Sequence, residues 1–247
     1  MSFANKTSSI KRPAGHPGGF RQAVAVAALF FLSGVTGVLS SQEVKINTNL
    51  VIESDGTVRM DNSATVWNDL MVYPDATTKG GSNPPEWGTM FMNNGAGSTG
   101  VYLWMFAGNK EEELHFTVQL PHDYKIGSVL YPHVHWTTVT GTPSGTNVVW
   151  GLEYTVISVG ETFAGTTVFK ANSILPSIGS PTGTGQHLIT ELGPISGTNL
   201  GISAVIICRL YRASGDAADT FSNNVGLLGF DIHYEQDTQG SRQQWIK

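Results

Sequence analysis

The sequence predicts an all-β fold, an antiparallel β-sandwich of jelly-roll type behind an N-terminal extended or helical arm. Three observations predict it. About eight β-rich runs follow one another at near-even spacing beyond residue 100. Clusters of Gly, Pro, Asn and Asp punctuate them, as turns require. Beyond residue 41 no segment carries the 3.6-residue apolar period of a helix, apart from room for one turn over Ala213–Thr220. Several long connections favour an open sandwich over a closed barrel.

Taken in order, residues 1–21 are rich in Pro, Gly, Ser and basic side chains without periodicity and read as an extended arm. Residues 22–40 carry no charge, and their apolar centre from Ala23 to Leu32 falls short of the ~20 residues of a membrane span. Basic residues before it and small residues after it fit a signal peptide or anchor, with a buried or oligomer-forming helix as the alternative. Gly18-Gly19-Phe20 is similar to a prepilin cleavage site, but Val24 stands where that site expects Glu. The first division is therefore 1–41.

The second division, 42–100, holds a hairpin and a Gly/Pro-rich stretch. Asn49–Glu53 and Thr57–Met60 flank Ser54-Asp55-Gly56, a turn whose central residues tolerate positive φ. Residues 74–100 read as a long loop with one short strand near Met90. Loops of that length in a compact domain usually bind something or pack on a neighbour. The third division, 101–247, is the sandwich, with strands expected at 101–107, 112–120, 129–139, 147–158, 166–172, 186–194, 202–212 and 226–237.

Composition narrows the function. Charged residues make up 13% of the chain, and 29 glycines accompany abundant Thr, Ser and Asn. Neutral polar surfaces cost less to bury than charged ones, which suits packing against copies of the same chain. Lys6, Lys11, Arg12 and Arg21 precede the first acid, Glu43, so the body carries the remaining 10 basic residues against 19 acidic ones. Such a body lacks the basic groove that nucleic acid needs. The single cysteine, Cys208, sits in the apolar run Ile202–Leu210; it excludes an internal disulfide and reads as a buried hydrophobe.

Tyr131-Pro132-His133-Val134-His135-Trp136 is the strongest chemical motif. On a strand, His133 and His135 share a face and so could share a metal. His133, His135 and His233 are the candidate metal ligands, with Glu153 as a further acid. The motif is similar to that of the cupins, but no acid follows His135 at the cupin spacing. The preferred reading is a pair of hydrogen-bonded imidazoles at a sheet surface or subunit axis, and no cofactor is expected. Phe230, Ile232 and Tyr234 alternate with Asp231, His233 and Glu235. Asp231 and Glu235 lie ~13 Å apart at strand rise, too far for a glycosidase pair. Glu111-Glu112-Glu113 reads as a solvated strand edge. Trp104, Trp136, Trp150, Tyr102, Tyr131 and Tyr154 are assigned to core packing. Trp67 and Trp87, in or near loops, are the candidates for ligand contact. No nucleophile elbow, phosphate loop or dinucleotide fingerprint occurs, and the chain reads as a non-enzyme.

Several segments together resemble a family. They are Ala64–Leu70, Glu111–His122, Tyr131–Trp136, Val149–Thr155, Cys208–Arg212 and Asp231–Gln243. They resemble tailed-bacteriophage and virus-metagenome virion structural proteins over about residues 64–247, and Asn49–Met60 resembles the short β-repeats before phage fibre heads. The resemblance implies a fibre, decoration or receptor-facing component of the virion, a homo-oligomer of trimeric type. Its implied partners are other virion proteins and a host surface glycan. A secreted carbohydrate-binding module, a pilus-like filament subunit and a cupin-like metalloenzyme are the alternatives.

Overall fold

A computed structural model describes residues 42–91, 97–140, 145–174 and 185–247. Fourteen strands run in chain order. They are β1 (Val44–Ile46), β2 (Leu50–Ile52), β3 (Val58–Met60), β4 (Val66–Val72), β5 (Thr78–Lys79), β6 (Glu86–Phe91) and β7 (Val101–Phe106), then β8 (Glu112–Gln119), β9 (Tyr131–Thr138), β10 (Asn147–Ile157), β11 (Thr167–Ile174), β12 (Leu188–Glu191), β13 (Val205–Arg212) and β14 (Val225–Gln236). Single 3-10 turns at Asn62–Ala64 and Pro74–Ala76 are the helices among the described residues. Segment 22–40, with its signal, anchor or assembly-helix expectation, lies outside them. Among the described residues no helix is long and apolar enough to cross a membrane.

The strands form two antiparallel sheets and a small ribbon. The first sheet has the order β12-β9-β14-β7-β6, with β4 beside the C-terminal part of β14; the second has the order β11-β10-β13-β8-β5; β1-β2-β3 stand apart. From β7 onward consecutive strands lie in alternate sheets, except β10 and β11, which pair as neighbours. The all-β expectation and its antiparallel sandwich are thus observed. The strand near Met90 is β6, and it pairs with β7. Sheet structure also begins earlier than the sequence suggested, because β4 runs against β14 from Val66 to Val72. The β2–β3 hairpin forms at Ser54-Asp55-Gly56, where Gly56 takes φ +87° and Asp55 Oδ1 accepts from the Thr57 N–H at 2.9 Å.

Alternation places the core. On β8, Leu114, Phe116 and Val118 point inward; on β10, Val148, Trp150, Leu152 and Tyr154 do the same; Val134, Trp136, Phe230 and Ile232 meet them from the first sheet. Full burial of each such side chain contributes about 1.5–3 kcal/mol. Trp150 lies edge-on to Phe106 with centroids 5.1 Å apart, and the Trp136 indole N–H donates to Thr190 Oγ1 at 2.9 Å. Cys208 is buried here, and burial pushes its thiol up to about 12.

Two buried devices escaped the sequence. Tyr211 lies over Gly151 on the far face of the second sheet, so close that a Cβ at residue 151 would stand 2.1 Å from its ring. Arg212 and Asp219 form a fully buried fork, with Nη2 to Oδ1 at 2.8 Å and Nε to Oδ2 at 3.0 Å; Arg212 Nη1 also donates to Asn223 O at 2.7 Å. The acidic run is only in part the solvated edge expected, because Glu111 is exposed but β8 lies between β13 and β5. Glu112 is buried and accepts from the Ala107 N–H at 2.6 Å, while Glu111 and Glu113 both clamp Arg209 across the β8–β13 ladder. The Ala107 amide, the Lys110 ammonium at 2.7 Å and the Arg209 guanidinium supply donors to these carboxylates.

Candidate functional site

The candidate site lies on the outer face of the first sheet, where β12, β9, β14 and β4 lie side by side. The cross-strand register decides which residues meet there. His133 stands directly opposite Asp231 on β14 and opposite Glu191 on β12, and His233 stands opposite Tyr131 on β9 and Asp69 on β4. A bulge in β14 between Leu227 and Gly229 shifts the register against β9. It lets Leu227 and Phe230 both point inward, and so turns Asp231, His233 and Glu235 outward.

Asp231 is the hub. Its side chain is 5% exposed, and three imidazoles surround it. His135 Nε2 lies 3.0 Å from Oδ2, and His135 Nδ1 lies 2.7 Å from Nε2 of the exposed His187. His135 thus bridges Asp231 and His187 through its two ring nitrogens. His233 Nε2 lies 3.6 Å from Asp231 Oδ2 and 3.1 Å from Asp69 Oδ1. His133 Nδ1 faces Asp231 Oδ1 at 3.4 Å, and neither of these buried atoms has a hydrogen-bond partner. The His133 and His233 rings are 4.1 Å apart. Burial, reinforced by His233 and His135 and opposed by Asp231 and Glu191, holds the His133 pKa below its ordinary value. His133 is therefore a neutral ring near pH 7, with a lone pair available for ligation or hydrogen bonding.

Above this floor is an open cavity of about 300 Å³ lined by Trp67, Tyr131, His133, Glu191 and His233. Trp67 and Tyr131 meet edge to face with centroids 5.5 Å apart, and both are exposed. Met71, Tyr73 and Ile189 add further exposed apolar side chains on the same strands or at their ends. The face thus combines an aromatic wall with carboxylate and imidazole groups, apolar surface beside a few convergent polar groups as in small-molecule sites.

The sequence candidates divide accordingly. Trp67, His133, His135 and His233 come together. Trp87 does not: it packs edge-on against Trp104, two partners removed from Leu227, roughly 25 Å along β14 from the level of Trp67. Glu153 belongs to the second sheet, where it takes Arg209 at 3.6 Å and Thr166 at 2.8 Å. Tyr131, assigned to the core, is on the surface because it shares the strand parity of His133 and His135. Tyr102 is exposed too, whereas Trp136, Trp150 and Tyr154 are buried as expected. Asp231, Glu191, Asp69 and His187 gain their roles only through pairing between distant strands.

A second cavity, of about 410 Å³, lies where the β2–β3 hairpin meets the C-terminal residues. Its charges neutralise one another: Arg59 takes Glu53 at 2.8 Å, Arg242 takes Asp55 at 2.8 Å, and Lys247 takes Asp237. It reads as a structural clasp.

No family model and no curated protein matches this chain. Two solved structures are similar in part. One is the enzymatically active domain of bacteriophage CBA120 tailspike protein 4, at 10% identity and a TM-score of 0.30; the match covers 68% of this chain and 19% of that one. The other is the carbohydrate-binding module TmCBM61 in complex with β-1,4-galactotriose, at 13% identity and a TM-score of 0.28, covering 69% and 88% of the two chains. Neither is similar enough to carry an activity across.

Proposed function

We propose that this chain is a virion structural protein whose sandwich binds a surface glycan on the outer face of β12, β9, β14 and β4, without catalysing a reaction. The observation that carries the binding half is the exposed Trp67–Tyr131 pair standing over His133, His233 and Glu191. The aromatic wall offers a π-face to the C–H face of a pyranose, and the polar floor offers donors and acceptors to its hydroxyls. The virion half is supported by the resemblance over residues 64–247 and by the low-charge, Gly-rich composition. The alternation of strands between sheets supports a jelly-roll winding, an architecture found in capsid and lectin domains. Trp245 and Ile246, exposed at the C-terminus, are the docking point for a neighbouring copy in a trimer.

A glycan array probed with the full chain tests the binding half, and mass photometry tests the assembly. A bound glycan class lost in Trp67→Ala, on a protein that sizes as a trimer, is the expected result. A strict monomer that binds no glycan would overturn both halves.

A further inference from the structure

We infer that His133, Asp231 and His233 form a site for one divalent transition-metal ion, with zinc the best-fitting probe, and that the inference stands whether or not a glycan binds above it. Three facts carry it. One ligand atom from each residue lies within 4.8 Å of the others, which fits three ligands on one ion. The two imidazoles reach the two oxygens of the Asp231 carboxylate, His133 Nδ1 lying 3.4 Å from Oδ1 and His233 Nε2 lying 3.6 Å from Oδ2, so both rings converge on the same group. Two of the buried ligand atoms, His133 Nδ1 and Asp231 Oδ1, have no hydrogen-bond partner. A buried polar atom without a partner is costly, and a cation bound between these two would satisfy both.

The surroundings supply the outer support that metal sites use. His135 holds Asp231 Oδ2 at 3.0 Å and is itself held by His187. Glu191 Oε1 lies 4.0 Å from His133 Nε2, on the side of the ring away from Asp231, where it can receive that N–H once Nδ1 ligates. The ligand set of two imidazoles and one carboxylate suits zinc or its late first-row neighbours rather than calcium or magnesium, which prefer oxygen. Asp69, 3.1 Å from His233 Nε2, is a further oxygen donor nearby, and His133 and His233 both line the cavity of Trp67 and Tyr131.

The test is zinc binding by the untagged full chain after chelator treatment, read by calorimetry and elemental analysis, with Co²⁺ absorption as the geometric signature. The chelator-treated wild type is expected to bind about one zinc per chain. His233→Ala is the primary variant, because that side chain is 41% exposed and its loss leaves the core intact. It is expected to weaken binding by more than the roughly 10- to 100-fold that loss of an outer-shell partner costs. Asp231→Asn, nearly isosteric, serves as the second variant, with thermal melting as the folding check. Absence of stoichiometric zinc in wild type overturns the inference. So does binding unchanged in His233→Ala but abolished in His187→Ala, which would assign the ion to the His135–His187 pair.

Discussion

His133 on β9 and Asp231 on β14 are direct cross-strand partners, their Nδ1 and Oδ1 atoms 3.4 Å apart with no hydrogen bond between them. Everything chemically notable on this face is arranged around that pair: two further histidines touch the same carboxylate, and an aromatic wall closes one side.

Arg212→Met should destabilise the fold strongly. The guanidinium is the fork partner of Asp219, and both side chains are fully buried. Removing one member leaves an unpaired buried charge, at a cost of about 3–5 kcal/mol. Urea denaturation checks this. A loss within 1 kcal/mol of zero would show that water or another cation reaches Asp219 (a threshold of ~1 kcal/mol is the usual surface-pair value).

Gly151→Ala should destabilise by about 1–3 kcal/mol, as overpacked sites do. The added methyl meets the Tyr211 ring, which is only 3% exposed and is covered in turn by Arg209 at 4.2 Å. Combining it with Tyr211→Leu should recover part of the loss in a double-mutant cycle. Strict additivity would mean that the two residues do not press on each other.

Cys208 should resist thiol reagents in the folded protein. Its thiol is buried and pushed up to about 12, so almost no thiolate exists at pH 8. Labelling by a disulfide reagent is expected to be negligible in native buffer and complete in denaturant. Rapid native labelling would place β13 at an accessible edge and contradict its position between β10 and β8.

Truncation after Gly240 should dissociate the assembly while leaving the sandwich folded. It removes Trp245 and Ile246, which are 69% and 63% exposed. It also removes the Arg242 and Lys247 links of the C-terminal clasp, so some loss of thermal stability is expected. Mass photometry and circular dichroism together check it. An unchanged oligomer would move the interface elsewhere.

Much of this was legible in the sequence. Period-2 alternation located the strands from β7 onward because each buries one face, and Asp55-Gly56 marked the hairpin turn through its tolerance of positive φ. The common parity of His133 and His135 placed them together. The same parity rule, applied to Tyr131, would have put it on the surface beside them. The alternation of Phe230, Ile232 and Tyr234 with Asp231, His233 and Glu235 gave the facing of Asp231, but its role as the hub was not legible, because that depends on the β9–β14 register, two strands separated by roughly 90 residues. Neither was β4 in the sheet: Val66–Val72 has a mostly exposed face, and its pairing with the far end of the chain leaves no local mark. The Arg212–Asp219 fork was hidden for the same reason, since burial of a charge is decided by neighbours brought in from β7 and the loop before β14.

Glycan binding at the proposed Trp67–Tyr131 face is tested most directly by calorimetric binding of an array-selected glycan to wild type, Trp67→Ala and Trp87→Ala. At least a tenfold loss of affinity, ~1.4 kcal/mol, is expected in Trp67→Ala, and unchanged binding in Trp87→Ala, with both variants folded as wild type. Equal affinity in wild type and Trp67→Ala, or a loss confined to Trp87→Ala, would contradict it.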